Sequence, residues 1–229
     1  MKNESRDLVG CCMSVLLYRK EKFEQALDEF DQPVDVTFKS FQLDPSAPQH
    51  STESMVTVLA KKYNVPVEKA KEMNSQVTAQ AKEVGLNYHL ESVRVVNTMD
   101  AHRLSHLAKE KGKMGEVMEA LLDAHFVQGR YVGDRETLIA IAETAGIGKE
   151  EVNAVLDSDQ YKDVVMQDQA EGSQIGVQGV PFFVFNRKYA VSGAQPKEAF
   201  LQVLEKVKEE DASQIQVVNQ GDTCSDGSC

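Results

Sequence analysis

Apolar side chains recur along the chain at two different spacings, and each spacing predicts a type of element. Between Glu21 and Phe30 they recur every three or four residues, which places them on one face of a helix. After Pro33 they alternate with polar residues at Val34, Val36 and Phe38, the period of a half-buried strand that ends near Leu43. We therefore predict a helix followed by a strand in the first part of the chain.

The middle of the chain has a helical pattern almost without interruption, from about Ser51 to Asp168. Within it, Asp134 is suited to cap a helix, and the segment Gly146-Ile-Gly148 separates that helix from the next one. This stretch predicts an all-helical subdomain.

The pattern changes again after Glu171. An apolar run from Phe182 to Phe185, a polar turn and a second short run from Tyr189 to Val191 predict a β-hairpin. Pro196 then opens a further helix, because proline is tolerated at a helix start. From about Asp211 the chain is polar, which predicts a flexible tail.

This order of elements predicts an α/β protein with a thioredoxin-like fold and a large all-helical insertion. Residues 1–48 and 170–210 form the split thioredoxin-like domain in this interpretation, residues 49–169 form the insertion, and residues 211–229 form a flexible, cysteine-containing tail.

Composition and charge exclude several classes of function. The 229 residues include 25 Lys and Arg against 36 Asp and Glu, a net charge of −11 without a basic stretch, so a nucleic acid partner is not expected. No apolar run approaches the roughly 20 residues of a membrane span, and no signal-peptide pattern opens the chain. We therefore predict a cytoplasmic protein without a membrane partner.

The four cysteines lie in two tight groups, Cys11 with Cys12 and Cys224 with Cys229. A secreted domain spreads its cysteines through the chain as a disulfide framework, which is not the pattern here. The grouping predicts thiol chemistry or no role.

Several stretches of sequence resemble one known family. The segment Gly179-Val-Pro181-Phe-Phe-Val-Phe185, followed by Val191-Ser-Gly193-Ala-Gln and Pro196, closely resembles the C-terminal half of DsbA-like thioredoxin-fold proteins, and within them the FrnE branch. Three further stretches resemble that branch, namely Phe38-Lys-Ser-Phe41-Gln-Leu-Asp-Pro45, Asn97-Thr-Met-Asp-Ala-His102-Arg-Leu104 and the closing Cys-x4-Cys. The resemblance implies a dithiol oxidoreductase that acts on thiol and disulfide substrates, either proteins or small thiols, with no cofactor.

The resemblance also implies roles for individual residues. Val180 and Pro181, joined by a cis peptide bond, form the wall that faces the active-site thiols and pairs with an extended substrate. His102 lines the substrate groove between the subdomains. Cys224 and Cys229 form a secondary redox pair in one interpretation; a soft metal such as zinc, or an exposed tail with no role, are the alternatives.

A metal site elsewhere is not expected. His102 and His106 lie one helical turn apart, a spacing that is compatible with a shared metal ion. The sequence offers no HExxH pattern and no evident carboxylate partner to complete such a site. We therefore predict no bound metal.

The chain departs from the family at one decisive place. The family carries Cys-x-x-Cys at the start of the first helix, where the helix N-terminus stabilises a thiolate. Here Met13 and Leu16 occupy the positions where the two redox cysteines would fall. Since neither side chain is a thiol, we predict that this polypeptide is inactive at the primary site.

A shifted reading frame explains the departure. Ordinary codons for Leu8 to Lys20, read one base later, spell Trp-Ser-Asp-Val-Val-Cys-Pro-Phe-Cys-Tyr-Ile-Gly, which contains the family motif. Methionine has a single codon, so any TCN codon at Ser14 places the first hidden cysteine at position 13. Leu16 ending in TG, followed by Leu17 beginning with T, places the second at position 16. We interpret residues from about Asn3 to Arg19 as a frame-shifted translation.

Two alternative functions remain open from the sequence. The 2-hydroxychromene-2-carboxylate isomerases share this fold, use glutathione, lack the Cys-x-x-Cys and place a serine near the first helix, and Ser14 is present here. A non-enzymatic peptide-binding or chaperone-like module is the other alternative.

Overall fold

The structure is a computed structural model that describes the backbone of residues 15–82, 85–193 and 195–213, and the side chains of residues 22–82, 85–193 and 195–210. In chain order, the described residues form α1 (Val15–Glu29), α2 (Met55–Tyr63), α3 (Val67–Lys82), α4 (Met99–Glu110), α5 (Met114–Leu122), a π-helical turn (Asp123–Val127), α6 (Arg135–Thr144), α7 (Lys149–Leu156), α8 (Lys162–Gln174), β1 (Phe182–Phe185), β2 (Tyr189–Ser192) and α9 (Lys197–Ser213). None of the helices described here has the length and apolar character needed to cross a membrane.

The strands β1 and β2 form the predicted hairpin. They pair antiparallel from Phe182 opposite Ser192 to Phe185 opposite Tyr189. Residues Asn186 and Arg187 both have a positive φ, and the Lys188 amide donates to the Phe185 carbonyl at 2.9 Å, which closes the turn. The hairpin prediction is therefore confirmed.

Three phenylalanines bring α1, β1 and α9 together. The ring centroid of Phe183 in β1 lies 5.0 Å from that of Phe23 in α1 and 4.9 Å from that of Phe200 in α9. All three side chains are buried, and the two inward-facing residues of β1 alternate with the half-buried Phe182 and Val184. Both helices thus pack on one face of the hairpin, and both were predicted, although α1 begins at Val15, earlier than the pattern indicated.

The helical block has a core of its own. Every residue of α4 from Ala101 to Ala108 is buried, and α5, α6 and α7 contact that helix. The carboxylate of Asp134 accepts a hydrogen bond from the Thr137 amide at 3.0 Å, as expected of an N-cap, and the break at Gly146 falls between α6 and α7. The helical prediction for this region is confirmed, and a helix-rich architecture with a small sheet agrees with the predicted helical insertion.

The predicted strand after α1 differs from what the structure has. Residues 34–43 contain a single bridge residue, Phe38, and among the described residues they form no ladder with β1. Instead of a neighbouring strand, side chains of α8 hydrogen-bond to part of the backbone of this segment. Asp168 accepts from the Ser40 amide, and Gln169 hydrogen-bonds to both the amide and the carbonyl of Gln42. The alternation correctly predicted which side chains of this segment are turned toward the core, since Val34, Val36 and Phe38 pack against the aromatic cluster.

The predicted boundaries between the subdomains stay a prediction. The helix α8 runs through residue 169, where the boundary was expected, and Leu122 and Phe126 from the helical block pack in the cluster that contains Phe183.

Replacing Phe183 by alanine tests the aromatic core. Because the ring is fully buried between two helices, we expect Phe183→Ala to lower the free energy of unfolding by about 3–5 kcal/mol. The control Val164→Ala, at a side chain that is 40% exposed, is expected to change it by less than about 0.5 kcal/mol. Equal losses in urea denaturation of the two variants would contradict this packing.

Candidate functional site

The segment before β1 lies at the start of the hairpin, where α1 packs. The Val180–Pro181 peptide bond is cis, the geometry that the resemblance implied. The Pro181 carbonyl accepts a hydrogen bond from the Gly193 amide at 3.0 Å, so the segment is tied to the end of β2. Phe183, two residues further on, contacts Phe23 of α1. The structure thus places α1 and the Val180–Pro181 segment against one core.

Of the two positions expected to carry redox cysteines, one lies in the described chain. Leu16 is in the first turn of α1, about two helical turns or 10 Å before Phe23. Met13 and Ser14 lie outside the described residues, as do Cys11, Cys12, Cys224 and Cys229.

A second segment packs beside Val180. Phe41 and Val177 are buried together, and Leu43, Val180 and the outward-facing residues of β1 pack against them. The stretch Phe41-Gln-Leu43 is therefore a neighbour of Val180. This contact joins two of the sequence stretches that carry the family resemblance.

Side-chain amides fix the backbone of that neighbouring segment. The Oε1 atom of Gln169 accepts from the Gln42 amide at 2.6 Å, and its Nε2 donates to the Gln42 carbonyl at 3.3 Å, so the side chain imitates a neighbouring strand. The Gln42 side chain donates to Asn97 Oδ1 at 3.1 Å, and Asn97 Nδ2 donates to the Ala47 carbonyl at 3.0 Å. The loop after Leu43 is thereby held by residues of α8 and of the segment before α4.

A buried carboxylate fixes the preceding residues. Asp168 in α8, only 3% exposed, accepts from Lys39 Nζ at 2.7 Å and from the Ser40 amide at 3.0 Å. Its Oδ2 atom also lies 3.3 Å from His106 Nε2, and Lys39 has a second carboxylate, Glu171, at 3.2 Å. Asp168 thus connects residues 39 and 40 with α4.

These groups resemble a hydrolytic triad in composition but not in geometry. Ser40 Oγ lies 3.0 Å from Nε2 of His106, the same ring nitrogen that faces Asp168. A Ser-His-Asp nucleophile needs the serine and the carboxylate on opposite ring nitrogens. Since all three side chains are also buried, the arrangement holds the fold together and has no room for a substrate.

The ionisation of this cluster follows from its contacts. Burial by itself raises the pKa of Asp168, but hydrogen bonds from His106, Lys39 and the Ser40 amide outweigh burial, so the pKa lies below its usual value. Burial likewise opposes the charge of Lys39, yet its contacts with Asp168 and Glu171 raise its pKa. Both groups are therefore charged near neutral pH, and they form an ion pair in which Asp168 is buried and Lys39 is partly exposed.

His102 lies in the interior and not on an open surface of the described chain. Its side chain is 2% exposed, and its ring hydrogen-bonds to the backbone of Phe41. Burial, and secondarily the nearby His106, lower its pKa to about 4. His102 thus contacts the backbone of Phe41, whose side chain packs beside Val180.

Four residues of this region, Ser40, Gln42, Asp168 and Gln169, were not identified from the sequence. Two of them lie inside a stretch that the resemblance marked, where polar residues flank the buried Phe41. The other two occupy neighbouring positions of α8, and no local pattern signals that a helix side chain will bond to a distant backbone. In the described residues, no group of three or more His, Cys, Asp or Glu side chains is arranged to hold a metal ion.

Comparison with known proteins assigns the family. The family model of the DSBA-like thioredoxin domain matches residues 18–205, more than half of the 229-residue chain. The chain therefore belongs to the DsbA-like thioredoxin-fold family, whose members are generally oxidoreductases. The comparison with curated proteins gives no significant match.

Three solved structures are similar to this chain. A probable DsbA oxidoreductase from Streptomyces coelicolor is 35% identical, with a TM-score of 0.87 and 98% of each chain covered. A 2-hydroxychromene-2-carboxylate isomerase is 10% identical, with a TM-score of 0.67 over 93% of this chain and 99% of that chain. The cytosolic disulfide reductase DsbM from Pseudomonas aeruginosa is 15% identical, with a TM-score of 0.60 over 90% and 99%, and it is also known with GSH. The last two likenesses show the fold alone.

Removing the charge of Asp168 tests the buried cluster. We expect Asp168→Asn to lower the free energy of unfolding by about 2–3 kcal/mol, because Lys39 loses its buried partner. The control Asp163→Asn, at an exposed position of the same helix, is expected to cost less than about 0.5 kcal/mol. A loss in Asp168→Asn no larger than in the control, measured by urea denaturation, would show that the carboxylate does not hold the segment.

Acid is expected to destabilise the protein through its buried histidines. The pKa of His102 and that of His125 are both lowered from 6.5 to about 4 by burial, so the unfolded chain binds more protons than the folded one between these values. The contribution of the two neutral rings to the free energy of unfolding is then fully present above pH 6.5 and is lost as the pH drops toward 4. Relative to pH 7, we expect a loss of about 2 kcal/mol per histidine at pH 5. An unfolding free energy that is unchanged from pH 7 to pH 5 would contradict the burial of these rings.

Proposed function

We propose that the gene for this chain encodes a FrnE-type thiol-disulfide oxidoreductase whose redox site is at the start of α1. One observation carries the proposal: a cis Val180–Pro181 bond directly precedes the strand on which α1 packs. The resemblance to the family implies that, in this arrangement, Val180 and Pro181 form the wall that faces the substrate. The packing of Phe41 and Leu43 beside Val180 supports it.

The two cysteines belong at positions 13 and 16 in this proposal. A thiolate at position 13 is stabilised by the N-terminal end of α1 and attacks a substrate disulfide, forming a mixed disulfide and releasing one substrate thiolate. The thiol at position 16, once deprotonated, attacks the mixed disulfide and releases the second substrate thiolate. The enzyme is left oxidised and the substrate reduced, and the reverse sequence oxidises a substrate. Neither direction needs a metal or an organic cofactor.

This chain itself lacks both thiols, because Met13 and Leu16 cannot act as nucleophiles. The frame-shifted translation of residues from about Asn3 to Arg19 accounts for the loss. The family match supports this interpretation, since it begins at residue 18, within two residues of the end of the altered stretch. We infer that this polypeptide does not exchange disulfides at its primary site.

Cys224 and Cys229 are the secondary redox pair of the proposal. They are separated by four residues in a stretch of Ser, Asp and Gly, a composition that permits a small ring to close. Such a pair passes electrons to or from positions 13 and 16 by thiol-disulfide exchange.

The subdomains have distinct roles in the proposal. The thioredoxin-like domain, residues 1–48 and 170–210, carries the thiols and the Val180–Pro181 wall. The insertion, residues 49–169, supplies Asn97 and Asp168 contacts that hold Phe41 to Leu43 beside the wall. The substrates are thiols or disulfides of proteins or small molecules, and the compartment is the cytoplasm.

A glutathione-dependent isomerase is the second candidate. The missing Cys-x-x-Cys of this chain favours it, together with the shared fold of the 2-hydroxychromene-2-carboxylate isomerase. Glutathione binding with turnover of a hydroxychromene carboxylate, and no dithiol activity, would favour the isomerase over the oxidoreductase.

Restoring the motif tests the proposed function. We expect that replacing residues 8–19 by Trp-Ser-Asp-Val-Val-Cys-Pro-Phe-Cys-Tyr-Ile-Gly gives a protein that reduces insulin disulfides with glutathione or dithiothreitol as electron donor. The rate should exceed that of this chain at least 100-fold, since a low-pKa thiolate is gained.

The matched control carries the same replacement with serine at both cysteine positions, and it should be as inactive as this chain. A further version of the restored protein with Cys224→Ser and Cys229→Ser measures what the tail contributes. A restored protein that is folded by circular dichroism and yet no faster than its serine control would refute the proposed site.

A further inference from the structure

A small cavity lies between α4, α5 and the π-helical turn. Its volume is about 20 Å³, and His102 from α4 and His125 from the π-helical turn both line it. The remaining lining is apolar except for Thr98, and includes Leu121 and Phe126. Both histidines are buried, at 2% and 6% exposure.

Each of the two rings has one buried nitrogen without a hydrogen-bond partner. These atoms are Nε2 of His102 and Nδ1 of His125, and neither makes a hydrogen bond within the described chain. A buried polar atom without a partner costs about 1–3 kcal/mol, so two such atoms on residues that line one cavity indicate a missing partner.

The hydrogen bond made by the other nitrogen of each ring determines whether the missing partner must donate or accept a hydrogen bond. The His102 ring hydrogen-bonds to the backbone of Phe41, and the His125 ring hydrogen-bonds to the backbone of Arg130. Each of these hydrogen bonds raises the pKa of its ring, which means that the bonded ring nitrogen carries a proton. These ring N–H groups therefore donate to carbonyl oxygens. In a neutral imidazole the second nitrogen then carries a lone pair, so each ring has one unsatisfied acceptor.

Both rings are neutral near pH 7. Burial lowers the pKa of each to about 4, and no carboxylate is among the residues that line the cavity. The cavity therefore requires a donor of two hydrogen bonds or a cation.

We propose that this cavity is a binding site for a single water molecule, which donates one hydrogen bond to His102 Nε2 and the other to His125 Nδ1. The water links α4 to the π-helical turn through two rings that lie on different elements. It satisfies both acceptors and needs no balancing charge. The proposal does not depend on the proposed function.

Size and charge favour water over other ligands. A cavity needs about 10–15 Å³ to hold one water, so about 20 Å³ admits one and no larger molecule. The competitor is a soft cation such as Cu(I), because the Met118 side chain also lines the cavity and thioethers bind that ion. A cation there would be a buried charge without a carboxylate in contact, which is costly.

A high-resolution crystal structure of the full chain at pH 7 tests the site directly. We expect one density peak at about 2.7–3.2 Å from both His102 Nε2 and His125 Nδ1, with no anomalous signal at the copper edge. An empty cavity would overturn the proposal. So would a peak with copper scattering, or one equivalent of copper bound after incubation with Cu(I).

Variants give a second test that does not need crystals. His102→Leu and His125→Leu each remove one acceptor and leave the other unsatisfied, whereas the double variant removes both. The double variant should therefore lose less stability in urea denaturation than the sum of the two single losses, and His50→Leu, at an exposed position, should lose none. Strictly additive losses would show that the rings share no partner.

Discussion

The carboxylate of Asp168 is the contact on which the arrangement around the candidate site depends. It is buried in α8 and binds Lys39, the backbone of Ser40 and the ring of His106, so three parts of the chain meet at one side chain. A charge at such a depth is stable only when every oxygen has a donor. The same contacts fix where residues 39 and 40 run, and thereby the path of the next residues.

The position of Val180 is linked to that carboxylate through a short series of contacts. Ser40 is held by Asp168, Gln42 by Gln169 and Asn97, and between them Phe41 packs with Val177 beside Val180. Asn97 and the side chains of α8 thereby support one side of the Val180–Pro181 segment, and α1 packs on the other side of the hairpin through Phe23 and Phe183. The start of the hairpin is thus held by two separate cores.

Much of this fold could be predicted from the sequence, and the part that could not has a physical reason. Periodicity was sufficient for the helices that carry Phe23 and Phe200, for the Asp134 cap and for the Phe182 hairpin, because these depend on local spacing. Resemblance marked Val180, Pro181 and the stretch with Phe41. Neither periodicity nor resemblance identified Asp168 and Gln169, since their side chains hydrogen-bond to backbone about 127 residues earlier in the chain. The resemblance implied that His102 lines a groove, but its side chain lies buried, because a stretch shared with a family does not tell which neighbour covers a side chain.

The proposed function rests on one claim about residues 3–19, that their frame differs from the frame of the rest of the chain. The packing of α1 on β1 through Phe23, and all but the first two residues of the family match, concern the part of the chain beyond that stretch. Sequencing the source gene across its first 70 or so bases tests the claim most directly. We predict a continuous frame that encodes Trp-Ser-Asp, two further residues and then Cys-Pro-Phe-Cys. A gene that encodes Met13 and Leu16 in frame, with no such motif in the shifted frame, would contradict the claim.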